Sequence, residues 1–180
     1  MTKLNAPNML TLLRVILIPL IVLLIGLNSF VAAGILFIVA SVTDFLDGYL
    51  ARKYNLITDF GKFLDPVADK LLVLTAMIML CTKSADLTVT FPAWLICIVV
   101  ARDLMMDGLR MIASSKGVVI AAGELGKIKT TLQIIAVVCV TFRVWGWLSI
   151  TMMAAMGLMT VLSGVDYFMR SRKLLFDEIK

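Results

Sequence analysis

"DFLDGYLARKYNLITDFGKFLDPVADK", residues 44–70, sets five aspartates (Asp44, Asp47, Asp59, Asp65 and Asp69) among lysines and arginines in a chain that is otherwise largely apolar. Each side of it is flanked by an apolar stretch, and the spacing of its charges decides how the two stretches meet. Of 180 residues, 61% are hydrophobic and only 16% charged, with a mean hydropathy of +1.02. Soluble domains carry roughly 25% charged residues. The composition therefore predicts a membrane protein. Crossing a bilayer takes about 20 consecutive apolar residues, and windows of that length fall at 9–27, 30–51, 63–81, 92–113, 127–145 and 147–168. The expected fold is all-α: six transmembrane helices in one membrane domain over residues 1–180, with connections too short for a second domain.

Charge placement orients the bundle. With the N-terminus inside, the inner ends collect Lys3, Arg14, Arg52, Lys53, Lys62, Lys70, Arg110, Lys116 and most of the remaining cations, whereas the outer loops hold only Lys83 and Arg143. This is the positive-inside pattern with both termini cytosolic. The net charge of +5 then marks a cytosolic rim facing membrane lipids and phosphorylated ligands, with no nucleic-acid partner. The first span resembles a signal peptide at its start, but its apolar run is too long, and "GLNSF" (residues 26–30) reads as a tight turn into the next helix. Cys81, Cys97 and Cys139 have no paired spacing, and histidine is absent. Neither a disulfide framework nor a thiolate metal site is supported, and proton transfer falls to carboxylate, lysine, tyrosine or water. The tail "RSRKLLFDEIK" (residues 170–180) is expected to be a short amphipathic anchor.

Ionisable residues inside membrane helices cost several kcal/mol, roughly, and mark functional sites by default. Asp44 and Asp47 are three apart near the inner end of the second helix; Asp65 and Asp69 are four apart at the start of the third. Each pair shares a helix face, and the short connection makes the helices antiparallel neighbours, so the pairs can converge. Asp59 is assigned to the polar connection. Four converging carboxylates require compensating cations, either neighbouring lysine and arginine or bound metal. A donor set of oxygens alone selects hard cations, and two divalent ions roughly 3.5–4 Å apart are a device of phosphoryl transfer. Gly48 and Gly61 remove side chains where a ligand must approach backbone, Ala51 keeps that face thin, and Arg52 offers a forked donor suited to phosphate. Pro66 leaves the Lys62 carbonyl without its helical partner if the helix extends back that far.

Asp44, Asp47, Gly48, Ala51, Arg52, Gly61, Asp65 and Asp69 reproduce D-x2-D-G-x2-A-R-x8-G-x3-D-x3-D, and the stretch resembles the signature of the CDP-alcohol phosphotransferase family. The resemblance implies six transmembrane helices, a homodimer, two divalent cations (Mg²⁺ or Mn²⁺), and a cytosol-facing cavity where an alcohol displaces CMP from a CDP-linked lipid such as CDP-diacylglycerol. It implies that Asp44, Asp47, Asp65 and Asp69 ligate metal, that Asp69 also takes the acceptor's proton, and that Gly48, Ala51, Arg52, Thr58 and Gly61 line the CDP portion. "PNMLTLLR" (residues 7–14) is similar to the family's entry to the first helix, with Asn8 and Thr11 reaching the cytidine end; Asn8 also suits an N-cap. Arg14 is a partner either for this site or for Asp166 near the inner end of the last helix.

The acceptor is carried by "ARDLMMDGLR" (residues 101–110) and "GELGKIKTT" (residues 123–131). Arg102, Arg110, Lys127 and Lys129 would form a cationic pocket for a phosphorylated acceptor, and both stretches resemble the branch of the family that uses sn-glycerol 3-phosphate. The plainer alternative pairs Arg102 with Asp103 or Asp107 and leaves the lysines as orientation markers. Inositol phosphate, serine or phosphatidylglycerol as acceptor, and a divalent-cation transporter, are the rival functions. Localisation in a bacterial inner (plasma) membrane is expected. Gly34, Ala32 and Ala33 are expected to serve close helix packing.

Overall fold

The computed structural model describes residues 6–53, 59–115 and 123–176, with side chains described for 9–44, 64–115 and 123–171. Six helices follow in order: α1 (Ala6–Gly26), α2 (Phe30–Lys53), α3 (Asp59–Cys81), α4 (Ala93–Ser115), α5 (Glu124–Thr141) and α6 (Gly146–Phe176). There is no strand among the described residues.

Local chemistry sets the turns. The α1 end closes with Asn28 at φ 60°, its N–H on the Ile25 carbonyl and the Ser29 N–H on the Leu24 carbonyl. This left-handed cap uses the residue type, after glycine, that tolerates it best. The same arrangement ends α5 at Arg143 (φ 53°), with its N–H on Val140 and the Val144 N–H on Cys139. That cap stops α5 before the expected 145. At several other margins the helices run further than the apolar windows. The third begins at Asp59 rather than 63, so Asp59 is helical and not part of the connection, and the Lys62 carbonyl does lose its partner to Pro66. The sixth extends to Phe176 and at 31 residues is about 46 Å long, so its charged end outruns a roughly 30 Å hydrocarbon core.

α1 packs on α2 and α3, and α6 on α4 and α5. The core between them is apolar, with Ile21, Ala33, Phe37, Ala76, Met77, Leu80, Val99 and Met156 almost wholly buried. Gly34 does bring helices close: a Cβ there would lie 2.5 Å from the Phe142 ring. Ala33 is buried too, whereas Ala32 faces outward.

The two ends of the bundle differ. At one, Lys83 donates to the Gly26 carbonyl (2.8 Å) and Arg143 to the Asp86 carbonyl (3.0 Å) while lying over the Phe30 ring. The two cations expected outside thus serve as helix-end and loop ties. Trp94, Trp145 and Trp147, all well exposed, gather at this end, the last two stacked. The opposite end holds most of the buried charge. Between them the outer surface is apolar, with Leu23, Val31, Ile35, Leu104, Leu158 and Val161 among many exposed large side chains. Water-soluble monomers rarely show contiguous apolar surface on this scale. By length and composition, Met9–Gly26 and Gly146–Ser171 are apolar enough to cross a membrane. In α2 to α5 charged residues interrupt the apolar run, and those charges build the site.

Candidate active site

A carboxylate corner forms where α1, α2 and α3 meet. Arg14 is fully buried, and its Nη1 lies 2.7 Å from Asp44 Oδ1 and 2.9 Å from Asp69 Oδ1. One guanidinium nitrogen therefore ties α2 to α3 through aspartates 25 positions apart in sequence. Such charge-assisted bonds are roughly twice as strong as neutral ones. Thr11, one turn before Arg14, donates its hydroxyl to Asp65 Oδ1 at 2.6 Å. Arg14 is thus a partner of this corner and not of Asp166, which accepts instead from Arg170 Nε on its own helix at 3.0 Å. Among the described residues no three potential ligands surround a common metal position. What the corner does provide is two carboxylates aimed at one positive point and a third hydrogen-bonded nearby, all oxygen donors, a chemistry that fits a hard divalent cation.

A cavity of about 240 Å³ opens on the other side of Asp69, between α3, α4, α5 and α6. Arg102, Arg110, Lys127 and Lys129, which come from two helices and were expected to form a pocket, all line it. A buried carboxylate, Asp103, organises two of them. Lys129 Nζ is 2.8 Å from both Asp103 oxygens, and Arg102 Nη1 is 3.0 Å from Oδ1 of the same residue. Both Lys129 and Asp103 are buried. Arg102 runs past Gly164, where a Cβ would approach its Cγ to 3.4 Å, and past Gly126, where one would stand 3.7 Å from Nη2. Its aliphatic stem thus lies in a slot between α5 and α6. Asp107 pairs with Lys70 rather than with Arg102. Arg110 lies 5.7 Å over the Tyr167 ring, and Lys127, mostly exposed, meets Glu124 at 2.7 Å.

Residues 4–162 match the family model described as CDP-alcohol phosphatidyltransferase. The chain belongs to that family. It is similar to the CDP-diacylglycerol–glycerol-3-phosphate 3-phosphatidyltransferase of Bacillus subtilis (strain 168), 47% identical over 148 residues that cover 74% of each chain. The Shigella flexneri serotype 5b protein of the same name is 39% identical over 182 residues, covering 97% of this chain and 98% of that one. A third of that name, from Rickettsia typhi, is 46% identical over 135 residues, 73% of each chain. As a CDP-alcohol phosphatidyltransferase the chain is an enzyme of the transferase class.

Within this phosphatidyltransferase, the structure joins some expected site residues and leaves others outside description. Asp44 and Asp69 meet on Arg14, with Asp65 on Thr11 one turn away, and the four expected acceptor residues line one cavity, where Arg102 and Lys129 share Asp103. The backbone puts Asn8 in the first turns of α1, Asp47, Gly48, Ala51 and Arg52 in the last turns of α2, and Gly61 near the start of α3. The side chains of Asn8, Asp47, Ala51 and Arg52 lie outside the described residues, as does Thr58 altogether. Among the cavity residues with no expected role from spacing are Lys70, Gln133 and Tyr167. Gln133 was legible in part, as a lone amide one turn beyond Lys129 in an apolar run, the kind of polar group that membrane helices direct inward.

Proposed function

We propose that the protein transfers the phosphatidyl group of CDP-diacylglycerol to sn-glycerol 3-phosphate, yielding phosphatidylglycerophosphate and CMP. The observation that carries this is the place of Asp69. It is bound with Asp44 to Arg14 on one side and lines the cation-rich cavity on the other. A donor lipid seated at the corner and an acceptor seated in the cavity would meet at that carboxylate. Asp69 takes the proton of the acceptor's primary hydroxyl, whose oxygen bonds to the phosphatidyl phosphorus as the bond from phosphorus to the CMP oxygen breaks. Proton transfer to a positioned base supplies roughly 10²–10⁴-fold in such reactions.

Asp44, Asp47, Asp65 and Asp69 would hold two divalent cations, Mg²⁺ or Mn²⁺, which when bound neutralise the diphosphate and the departing CMP. Thr11 orients Asp65, and Asn8, Gly48, Ala51, Arg52, Thr58 and Gly61 enclose the CDP portion. Arg102, Arg110, Lys127 and Lys129 receive the acceptor's phosphate, for which planar, forked guanidinium donors are well matched.

The six helices cross a bacterial inner membrane with both termini and the site on the cytosolic face. Supporting this are the apolar outer surface, the tryptophans at the end opposite the buried charges, where membrane interfaces favour them, and the rule that charge at membrane depth faces the interior. The chain works as a homodimer among membrane lipids. Offered glycerol 3-phosphate, inositol phosphate, serine and phosphatidylglycerol together with CDP-diacylglycerol in proteoliposomes, it is expected to form phosphatidylglycerophosphate, read by mass spectrometry, with CMP release that requires divalent cation. A different lipid product refutes the acceptor. Cation flux without CMP release refutes the transferase in favour of transport.

A further inference from the structure

Three buried polar atoms on cavity-lining residues have no hydrogen-bond partner among the described residues: Arg102 Nε, part of a guanidinium already paired with Asp103, and two uncharged ones. The uncharged two are Gln133 Nε2 and Tyr167 Oη: Gln133 is 3% exposed and Tyr167 5% exposed, both line the cavity, and neither atom has a hydrogen-bond partner among the described residues. Buried polar side chains are nearly always partnered, and those that are not call for a ligand, a water or a functional reason. These two come from different helices, α5 and α6. They sit against the residues proposed to hold the acceptor's phosphate: Gln133 is one turn beyond Lys129 on α5, and the Tyr167 ring lies under Arg110.

Neither atom carries charge, so neither adds to phosphate neutralisation, which five lining cations (Lys70, Arg102, Arg110, Lys127 and Lys129) already provide. An amide N–H and a phenol match a neutral hydroxyl, since the amide donates and the phenol both donates and accepts. Glycerol 3-phosphate has one hydroxyl that is neither the nucleophile nor part of the phosphate: the secondary one. Resting on the function proposed above, we propose that Gln133 and Tyr167 read this secondary hydroxyl, and so set the enzyme's preference for a glycerol backbone over other phosphorylated alcohols.

A site built to hydrogen-bond a hydroxyl discriminates against analogues lacking it, because its own polar groups are then left unpaired. The test compares sn-glycerol 3-phosphate with 3-hydroxypropyl phosphate, which keeps the primary hydroxyl and the phosphate but has no secondary hydroxyl. Wild type is expected to favour glycerol 3-phosphate in kcat/KM by roughly tenfold or more, the discrimination of one to two neutral hydrogen bonds. In Tyr167→Phe, which keeps the ring under Arg110, and in Gln133→Met, which keeps the volume, the preference should fall towards unity while KM for CDP-diacylglycerol and the melting temperature stay near wild type. An unchanged preference in both variants overturns the assignment, as does an equal loss for both acceptors. Wild-type enzyme that uses neither acceptor overturns the proposed function itself, an outcome recognisable without either variant.

Discussion

The carboxylate corner and the cationic cavity share Asp69 but are built on opposite plans. In the corner, among the described residues, one buried cation, Arg14, serves two carboxylates that remain about a third or more exposed, at 34% and 43% of their side chains. In the cavity one buried carboxylate, Asp103, serves two cations, and the Asp103–Lys129 pair is shielded on both sides, at 8% and 4%. The corner leaves its carboxylates partly exposed, as the proposed site for cations and a phosphate-bearing donor requires. The cavity buries Asp103 as a brace that holds Arg102 and Lys129. The difference teaches that burial, and not the number of charges alone, sets which sign each region presents, and it supports the division between donor and acceptor proposed above.

The largest effect is expected at the shared residue. Asp69→Ala should lower CMP release by roughly 10²–10⁴-fold while CDP-lipid binding and helicity persist. A near wild-type rate would remove Asp69 from the role of base and dissolve the link between the two regions. Second comes the contrast in burial. Removing one partner of a buried ion pair costs roughly 3–5 kcal/mol, and Asp103→Asn should incur that range by leaving Lys129 buried and unmatched. Arg14→Leu should cost less, because its carboxylates can turn to solvent. Melting in detergent orders the two, and a larger loss for Arg14→Leu would break the comparison. Smallest is the rim: Lys127→Ala severs an exposed pair with Glu124 and should shift stability by no more than about 0.5 kcal/mol. Its acceptor KM should still rise a few-fold, and steady-state kinetics with varied glycerol 3-phosphate would show it.

The corner was largely legible from residue spacing. Asp44 lies near the inner end of α2 and Asp65 and Asp69 are one turn apart on α3, and an antiparallel hairpin brings such positions together whatever the detail of packing. The cavity was legible as a set of cations, since Arg102, Arg110, Lys127 and Lys129 stand out in apolar surroundings. Its pairings were not. Whether Arg102 meets Asp103 or Asp107, and that Lys70 claims Asp107, depends on how α3, α4 and α5 rotate against one another, which periodicity leaves free. Arg14 gave two candidate partners for the same reason: Asp166 and the corner both lie at the inner ends of their helices. Helix ends also escaped the apolar windows, because Asp59 and the charged last turns of α6 are helical without being greasy.

The sequence by itself determined six helices, a charged end to the bundle, and two aspartate pairs at helical spacing, because hydropathy and the 3.6-residue repeat act along the chain and need no partner. The tertiary structure alone decided that Arg14 bridges Asp44 to Asp69, that Asp103 braces Arg102 and Lys129, and that Gln133 and Tyr167 reach one cavity with a polar atom unpartnered among the described residues. Hydrogen bonds and ion pairs form over roughly 3 Å, a range set by the rotation and approach of helices distant in sequence.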